Sequence, residues 1–110
     1  MLTIEKLRDW GANVDEAMER CLNNEGFYLR LADKAFQDPN FDRLKEALTS
    51  GDLDRGFEAA HALKGALANL ALTPVLTRVQ EITELLRSRT QMDYAPLLAG
   101  IEEEKARLFA

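Results

Sequence analysis

The 110-residue sequence has few of the residues from which small proteins build covalent or metal sites. Its one cysteine, Cys21, excludes an intrachain disulfide and a zinc site made of several cysteines. Its one histidine, His61, excludes any site that needs two imidazoles from the same chain. Three prolines, six glycines and 7% aromatic residues leave little material for a loop-rich enzyme. Any chemistry in this chain therefore depends on very few side chains.

Basic charge and long apolar runs are also scarce. Fourteen Lys and Arg against nineteen Asp and Glu give a net charge of −5, which disfavours nucleic acid or an anionic membrane as a partner. No apolar run approaches the roughly 18 residues that a membrane span needs, and the charged segment from Glu5 is unlike a signal peptide. We therefore predict a cytoplasmic protein with a reduced thiol and with no nucleic-acid or membrane partner.

Apolar residues recur at intervals of three and four along the whole chain, which is the period of amphipathic helices. No alternating run of β-branched residues predicts a strand. The sequence thus predicts an all-α protein, an antiparallel up-and-down four-helix bundle with an additional short N-terminal helix. A coiled coil is the weaker interpretation, because no heptad pattern persists before a capped break interrupts it.

The chain is expected to form one domain over residues 1–110, since no linker or repeat divides it. Residues 1–23 are predicted to form an N-terminal helical cap and residues 24–110 the helical bundle. The helix that carries the histidine is predicted over about 52–72, with Asp52 as its capping residue. The initiator methionine and a completed last helix favour a protein that exists by itself over a piece of a longer one.

The surroundings of His61 suggest a site. On a helical projection His61 lies about 100° from Ala60 on the apolar face, so its imidazole reaches solvent at the edge of the core. Gly65 and Ala68 follow on the same side and leave space above the ring. A glycine inside a helix lowers stability by about 0.5–1 kcal/mol relative to alanine, so we expect something to approach closely there. Lys64, three residues after the histidine, can place a cation beside the ring.

These residue types suit transfer of a phosphoryl group. A neutral imidazole is a competent nucleophile at neutral pH. A nearby lysine neutralises negative charge on the group that the imidazole attacks or carries. A single histidine at a helix boundary is more often a half-buried polar residue without a function. The pattern by itself therefore leaves open a structural helical module in which His61 is incidental.

The segment that begins at His61 has the sequence His-Ala-Leu-Lys-Gly and is followed by Leu70. It resembles the motif of histidine-containing phosphotransfer (HPt) domains of two-component phosphorelays. The family pattern is His-x-Leu-Lys-Gly, four variable residues and Leu-Gly, and the chain departs from it with Ala71 in place of the last glycine. Because alanine does not favour positive φ, we expect Ala71 to keep the helix going, with a turn into Thr73-Pro74 that is built differently or begins a residue or two later.

The resemblance implies a mechanism. His61 would accept a phosphoryl group from the aspartyl phosphate of a receiver domain and pass it to another receiver. Lys64 would stabilise the phosphate, and Gly65 and Ala68 would give steric access. The chain would need no cofactor, because the magnesium ion belongs to the partner receiver domain. It would be a phosphoryl carrier with no autonomous kinase activity.

The implied partners are response-regulator receiver domains and, as a second kind, a hybrid sensor kinase. The family default is a monomer. An alternative function is a docking module that binds a receiver or a kinase without accepting phosphate. The presence of both His61 and Lys64 favours phosphotransfer over this alternative, because a degenerate copy of the motif loses those two residues most easily.

Overall fold

A computed structural model describes residues 1–110 and contains helices but no strand, which confirms the predicted all-α class. Two short helices, which lie within the N-terminal segment 1–23, precede five longer ones. None of the helices combines the length and the apolar character that crossing a membrane requires. The helices α1 to α7 are Ile4–Trp10, Val14–Arg20, Glu25–Phe36, Asn40–Ser50, Leu53–Asn69, Thr73–Arg87 and Ala95–Phe109.

The short N-terminal helices begin and end at residues with suitable capping chemistry. The hydroxyl of Thr3 accepts a hydrogen bond from the Lys6 N–H at 3.1 Å, and Gly11 ends α1 with a φ of 118°. Asn13 caps α2 in the same way, and its side-chain amide donates to the Glu16 carboxylate at 3.0 Å. These bonds satisfy backbone groups that a helix terminus leaves without partners, so they define where each helix begins.

The helix α5 packs between α4 and α6, and α6 also packs against α7. Two residues connect α4 to α5 and three connect α5 to α6, so each pair runs antiparallel. Burial of apolar side chains between these helices is the main force that holds α5 in place. The side chains of α4, α5 and α6 that are at most 1% exposed are Leu44, Ala60, Leu63, Leu67, Val75, Val79, Ile82 and Thr83.

Trp10 attaches the N-terminal helices to the other end of the chain. Its indole N–H donates to the carbonyl oxygen of Glu104 in α7 at 2.8 Å. Its ring meets the edge of the Phe36 ring, with 5.8 Å between the centroids. One continuous core extends from Leu2 to Leu108, so α1 and α2 share their core with the bundle.

The end of α5 differs from the prediction. The helix ends at Asn69 rather than near Leu72, and Ala71 adopts a φ of 53° in the left-handed region. The Leu72 N–H donates to the Leu67 carbonyl at 3.0 Å, and the Ala71 N–H donates to the Ala68 carbonyl at 3.1 Å. This is a Schellman arrangement, which usually has glycine at the left-handed position. The expectation that alanine would carry the helix through position 71 is therefore wrong.

Burial of Leu72 explains why the left-handed position 71 can hold an alanine. Leu72 and Leu67 are both fully buried, and only a sharp turn at Ala71 brings Leu72 back to the core. Burying a leucine side chain contributes about 1.5–3 kcal/mol, which exceeds the roughly 1–2 kcal/mol that left-handed backbone costs a residue with a Cβ. The helix α6 ends similarly at Arg87, and Arg89 adopts a φ of 53°.

Candidate functional site

The helix α5 presents His61 at the edge of its buried face. The helix begins after Asp52, whose carboxylate accepts the Arg55 N–H at 3.1 Å. His61 and Gly65 are exposed, which confirms the predicted position of the imidazole at the boundary between core and solvent. The buried residues of the helix are Gly56, Ala59, Ala60, Leu63 and Leu67.

The His61 imidazole stacks on the phenyl ring of Phe57, one turn earlier in α5. The ring centroids are 5.7 Å apart and the planes differ by 26°. No side-chain hydrogen bond or ion pair holds the imidazole. Phe57 is not among the site residues predicted from the sequence. Its spacing of four residues from His61 was the available signal, because helical side chains lean toward the N-terminus and cover the preceding turn.

Open space follows the imidazole along α5. A Cβ atom added at Gly65 would meet nothing within 4 Å. Ala68 is half-buried, and its carbonyl oxygen accepts a hydrogen bond from Nη1 of Arg20 at 3.0 Å. The helical period puts His61, Gly65 and Ala68 on one side of α5, and Arg20 of α2 bonds to the backbone carbonyls at the C-terminal end of this helix.

The second glycine in α5 has a different role, which sequence analysis missed. Gly56 is buried, and a Cβ atom added there would lie 2.9 Å from Cδ2 of Leu48 in α4 and 3.5 Å from Cδ1 of Leu86 in α6. Gly56 therefore allows three helices to approach closely, whereas Gly65 faces open space. The helical period places Gly56 about 40° from Ala60 on the apolar face and Gly65 away from that face, but it does not show which side chains of α4 and α6 approach Gly56.

Lys64 is half-buried and forms no ion pair. Arginines near α5, by contrast, form ion pairs with carboxylates. Arg89 contacts the carboxylate of Asp54 at 2.7 Å, and Arg87 contacts that of Glu84 at 3.3 Å. Because Lys64 lies three residues after the histidine, its ammonium is the cation of α5 that is free to meet an anion beside the ring.

The site thus offers a nitrogen nucleophile, an uncompensated cation and an open approach. Such an arrangement can accept an electrophilic group on the imidazole and stabilise negative charge that the group carries. Nowhere in the structure do three or more His, Cys, Asp or Glu side chains lie close enough together to hold a metal ion.

A sequence model of the Hpt domain matches residues 34–110. The match includes the whole of α4 to α7, and therefore the helix that carries His61, but not α1, α2 and most of α3. No curated protein and no solved structure matches the chain.

Proposed function

The chain belongs to the Hpt domain family, which performs histidine phosphotransfer in phosphorelays, and on this premise we propose that His61 is the phosphoacceptor. His61 takes the phosphoryl group from the aspartyl phosphate of one receiver domain and passes it to the aspartate of another. The observation that carries the proposal is the exposed imidazole of His61 next to the open space at Gly65.

The chemistry is a displacement at phosphorus. A lone pair on an imidazole nitrogen attacks the phosphorus atom, the N–P bond forms, and the bond from phosphorus to the aspartyl oxygen breaks. The aspartate leaves as a carboxylate with the electron pair, and the other imidazole nitrogen keeps its proton. Attack by the carboxylate of the next receiver reverses these changes and regenerates the imidazole. A carrier of this kind needs positioning and charge stabilisation rather than a second nucleophile.

Three neighbours of the imidazole assist in this proposal. Lys64 stabilises the negative charge of the bound phosphoryl group, and its lack of an ion pair supports this role. Gly65 leaves room for the receiver, which its open surroundings support. Ala68 extends this small-residue path by one turn, and its half-buried methyl group adds little bulk.

Hpt domains generally interact with receiver domains. We propose that response-regulator receivers, or the receiver of a hybrid sensor kinase, bind this chain as a monomer. The receiver supplies the magnesium ion and the phosphoryl donor, so the chain uses no cofactor of its own and acts without kinase activity. A cytoplasmic location fits the free thiol of the buried Cys21, since thiols stay reduced in that compartment.

The test is to incubate the purified chain with a panel of receivers that carry radioactive aspartyl phosphate. We expect label on the chain that is labile in acid and stable in base, as phosphohistidine is. His61→Gln should abolish the label without changing the helical circular dichroism, because His61 is exposed and makes no hydrogen bond.

Label that persists in His61→Gln would show that another residue is the acceptor. Binding to a receiver without any label on the wild-type chain would favour a phosphorylation-independent docking module. A chain that neither binds a receiver nor becomes labelled would be a structural helical module.

A further inference from the structure

The contact between the Phe57 and His61 rings affects the orientation of the imidazole plane. The lone pair that attacks phosphorus lies in the plane of the imidazole ring, so rotation of the ring changes the direction of attack. No hydrogen bond holds the ring, and the Phe57 ring lies against one of its faces at 5.7 Å between centroids. A phenyl ring in this place limits rotation of the imidazole while leaving the nitrogens at the ring edge accessible.

The Phe57 ring is itself held by a second helix. It is half-buried, and the guanidinium carbon of Arg87 in α6 lies 5.2 Å from its centroid. The Arg87 guanidinium is held in turn by the carboxylate of Glu84, at 3.3 Å. Cation–π contact and partial burial together restrict the phenyl ring. The packing of α5 against α6 thus determines where the support for the imidazole lies.

The other side of the imidazole has no such support. Gly65, one turn later, offers open space where a side chain would otherwise lean over His61. The imidazole therefore rests on a rigid ring on its N-terminal side and is open on its C-terminal side. This asymmetry suits a nucleophile that must keep one orientation while a bulky partner docks.

We propose that Phe57 is a positioning residue that fixes the plane of the His61 imidazole for in-line attack on phosphorus. The proposal rests on the proposed function of His61 and adds to it a residue outside the phosphotransfer motif. Phe57 does not touch the phosphoryl group. It acts by keeping the attacking nitrogen in a near-attack orientation, and transfer reactions are sensitive to such orientation.

Proton NMR tests whether the Phe57 ring lies against the His61 imidazole. The ring current of Phe57 should move the two carbon-bound imidazole protons of His61 away from the positions seen for histidine in an unfolded peptide. Phe57→Leu should return them toward those positions, and Phe57→Tyr should retain the displacement because the aromatic ring is kept. Wild-type resonances at the unfolded-peptide positions would overturn the proposal.

The function is tested by rapid-quench measurement of transfer from a phosphorylated receiver at increasing concentrations. Phe57→Leu should lower the transfer rate constant at saturation roughly threefold to tenfold, which is the range that an aromatic pair energy of this kind implies. The receiver concentration at half-saturation should not change, and Phe57→Tyr should restore the rate. Leu53→Ala is the matched control, because Leu53 is also half-buried in α5 and lies one turn further from the histidine.

The outcomes separate this proposal from the function on which it rests. If wild-type His61 accepts no phosphate from any receiver, the proposed function and the positioning role both fail. If wild-type His61 is phosphorylated and Phe57→Leu transfers at the wild-type rate at saturation, only the positioning role fails. An equal loss of transfer rate in Leu53→Ala and Phe57→Leu would also overturn the positioning role of Phe57, because the loss would then reflect the stability of α5.

Discussion

The hydroxyl of Tyr28 in α3 donates a buried hydrogen bond of 3.0 Å to the carbonyl oxygen of Leu70, the residue that follows α5. Nη1 of Arg20 in α2 donates to the carbonyls of Ala68 and Asn69, both at 3.0 Å. The last carbonyls of a helix have no partner within the helix. The N-terminal part of the chain therefore supplies the donors that complete the helix carrying the histidine.

Alkaline pH should weaken the fold through Tyr28. Burial, with a smaller contribution from the charge of Cys21, raises the pKa of Tyr28 to about 12, against 10.0 for an exposed tyrosine. Between pH 10 and pH 12 the unfolded chain loses this proton while the folded chain keeps it, so stability falls as pH rises. We expect Tyr28 to account for a loss of about 2 kcal/mol over this interval in urea unfolding.

Tyr28→Phe is the control for this pH dependence. It removes the hydroxyl that bonds to Leu70 and should lower stability by about 1 kcal/mol at pH 7. Its stability should then fall less steeply than that of the wild type above pH 10. Burial also raises the pKa of Tyr94, so part of the slope should remain in the variant. Identical slopes for both proteins would contradict the role of Tyr28.

Ala71→Gly should stabilise the protein. Ala71 has a φ of 53°, where glycine has no steric cost, while the backbone hydrogen bonds of the turn do not depend on its methyl group. We expect a gain of about 0.5–1 kcal/mol in the free energy of unfolding, less than the full left-handed cost because a buried methyl group is lost. Urea unfolding at pH 7 measures it.

Ala62→Gly is the matched substitution in the body of α5. Ala62 is exposed and helical, so glycine there should lower stability by about 0.5–1 kcal/mol. The two alanine-to-glycine changes should therefore have opposite signs. A destabilisation by Ala71→Gly as large as that by Ala62→Gly would show that the turn does not strain the alanine.

Gly65→Ala should raise stability and lower phosphotransfer. The added methyl group meets nothing within 4 Å, so the helix gains about 0.5–1 kcal/mol from the propensity of alanine. The same methyl group occupies space that the proposed function assigns to the receiver. We expect the transfer rate to fall roughly tenfold, because small displacements of reacting groups have effects of this size.

Gly56→Ala is the comparison for the effect of Gly65→Ala on the free energy of unfolding. Its Cβ would lie 2.9 Å from Cδ2 of Leu48, so overpacking by about 1–3 kcal/mol offsets the gain in helix propensity. Urea unfolding should find Gly56→Ala less stable than Gly65→Ala by at least about 1 kcal/mol. A Gly65→Ala protein that transfers phosphate at the wild-type rate would contradict the proposed need for space beside His61.

Lys64→Gln should lower phosphotransfer with little effect on folding. Lys64 makes no ion pair, so its replacement should change stability by less than about 0.5 kcal/mol. Loss of the cation should slow transfer from a phosphorylated receiver about tenfold, because positive charge near the developing phosphohistidine is removed. The difference from wild type should shrink in high salt, which screens charges of this kind.

Lys34→Gln is the control for net charge. Lys34 is an exposed lysine of α3 that also lacks an ion pair, and it lies outside the site. Its replacement changes the charge of the protein equally and should leave the transfer rate within about twofold of wild type. Equal losses in the two variants would show that overall charge, rather than the location of Lys64, controls transfer.

Much of the fold could be predicted because its causes are local. The helix starts at Thr3 and Asn13 follow from side chains that bond to backbone three residues away. The exposure of His61 follows from helical period alone. The end of α5 could not be predicted in the same way, because the burial of Leu72 against other helices decides the conformation of Ala71. The helical propensity of alanine by itself favours continuation of the helix rather than a left-handed turn.

The sequence by itself determined the helical class, the helix that begins after Asp52, and a candidate acceptor histidine with a lysine and a glycine after it. These features depend on residues within one or two turns of one another. Only the tertiary structure decided that Arg87 supports the Phe57 ring that contacts His61, that Leu48 and Leu86 approach Gly56, and that Tyr28 completes the end of α5. The physical reason is that each of these depends on contact between helices, which no short-range pattern encodes.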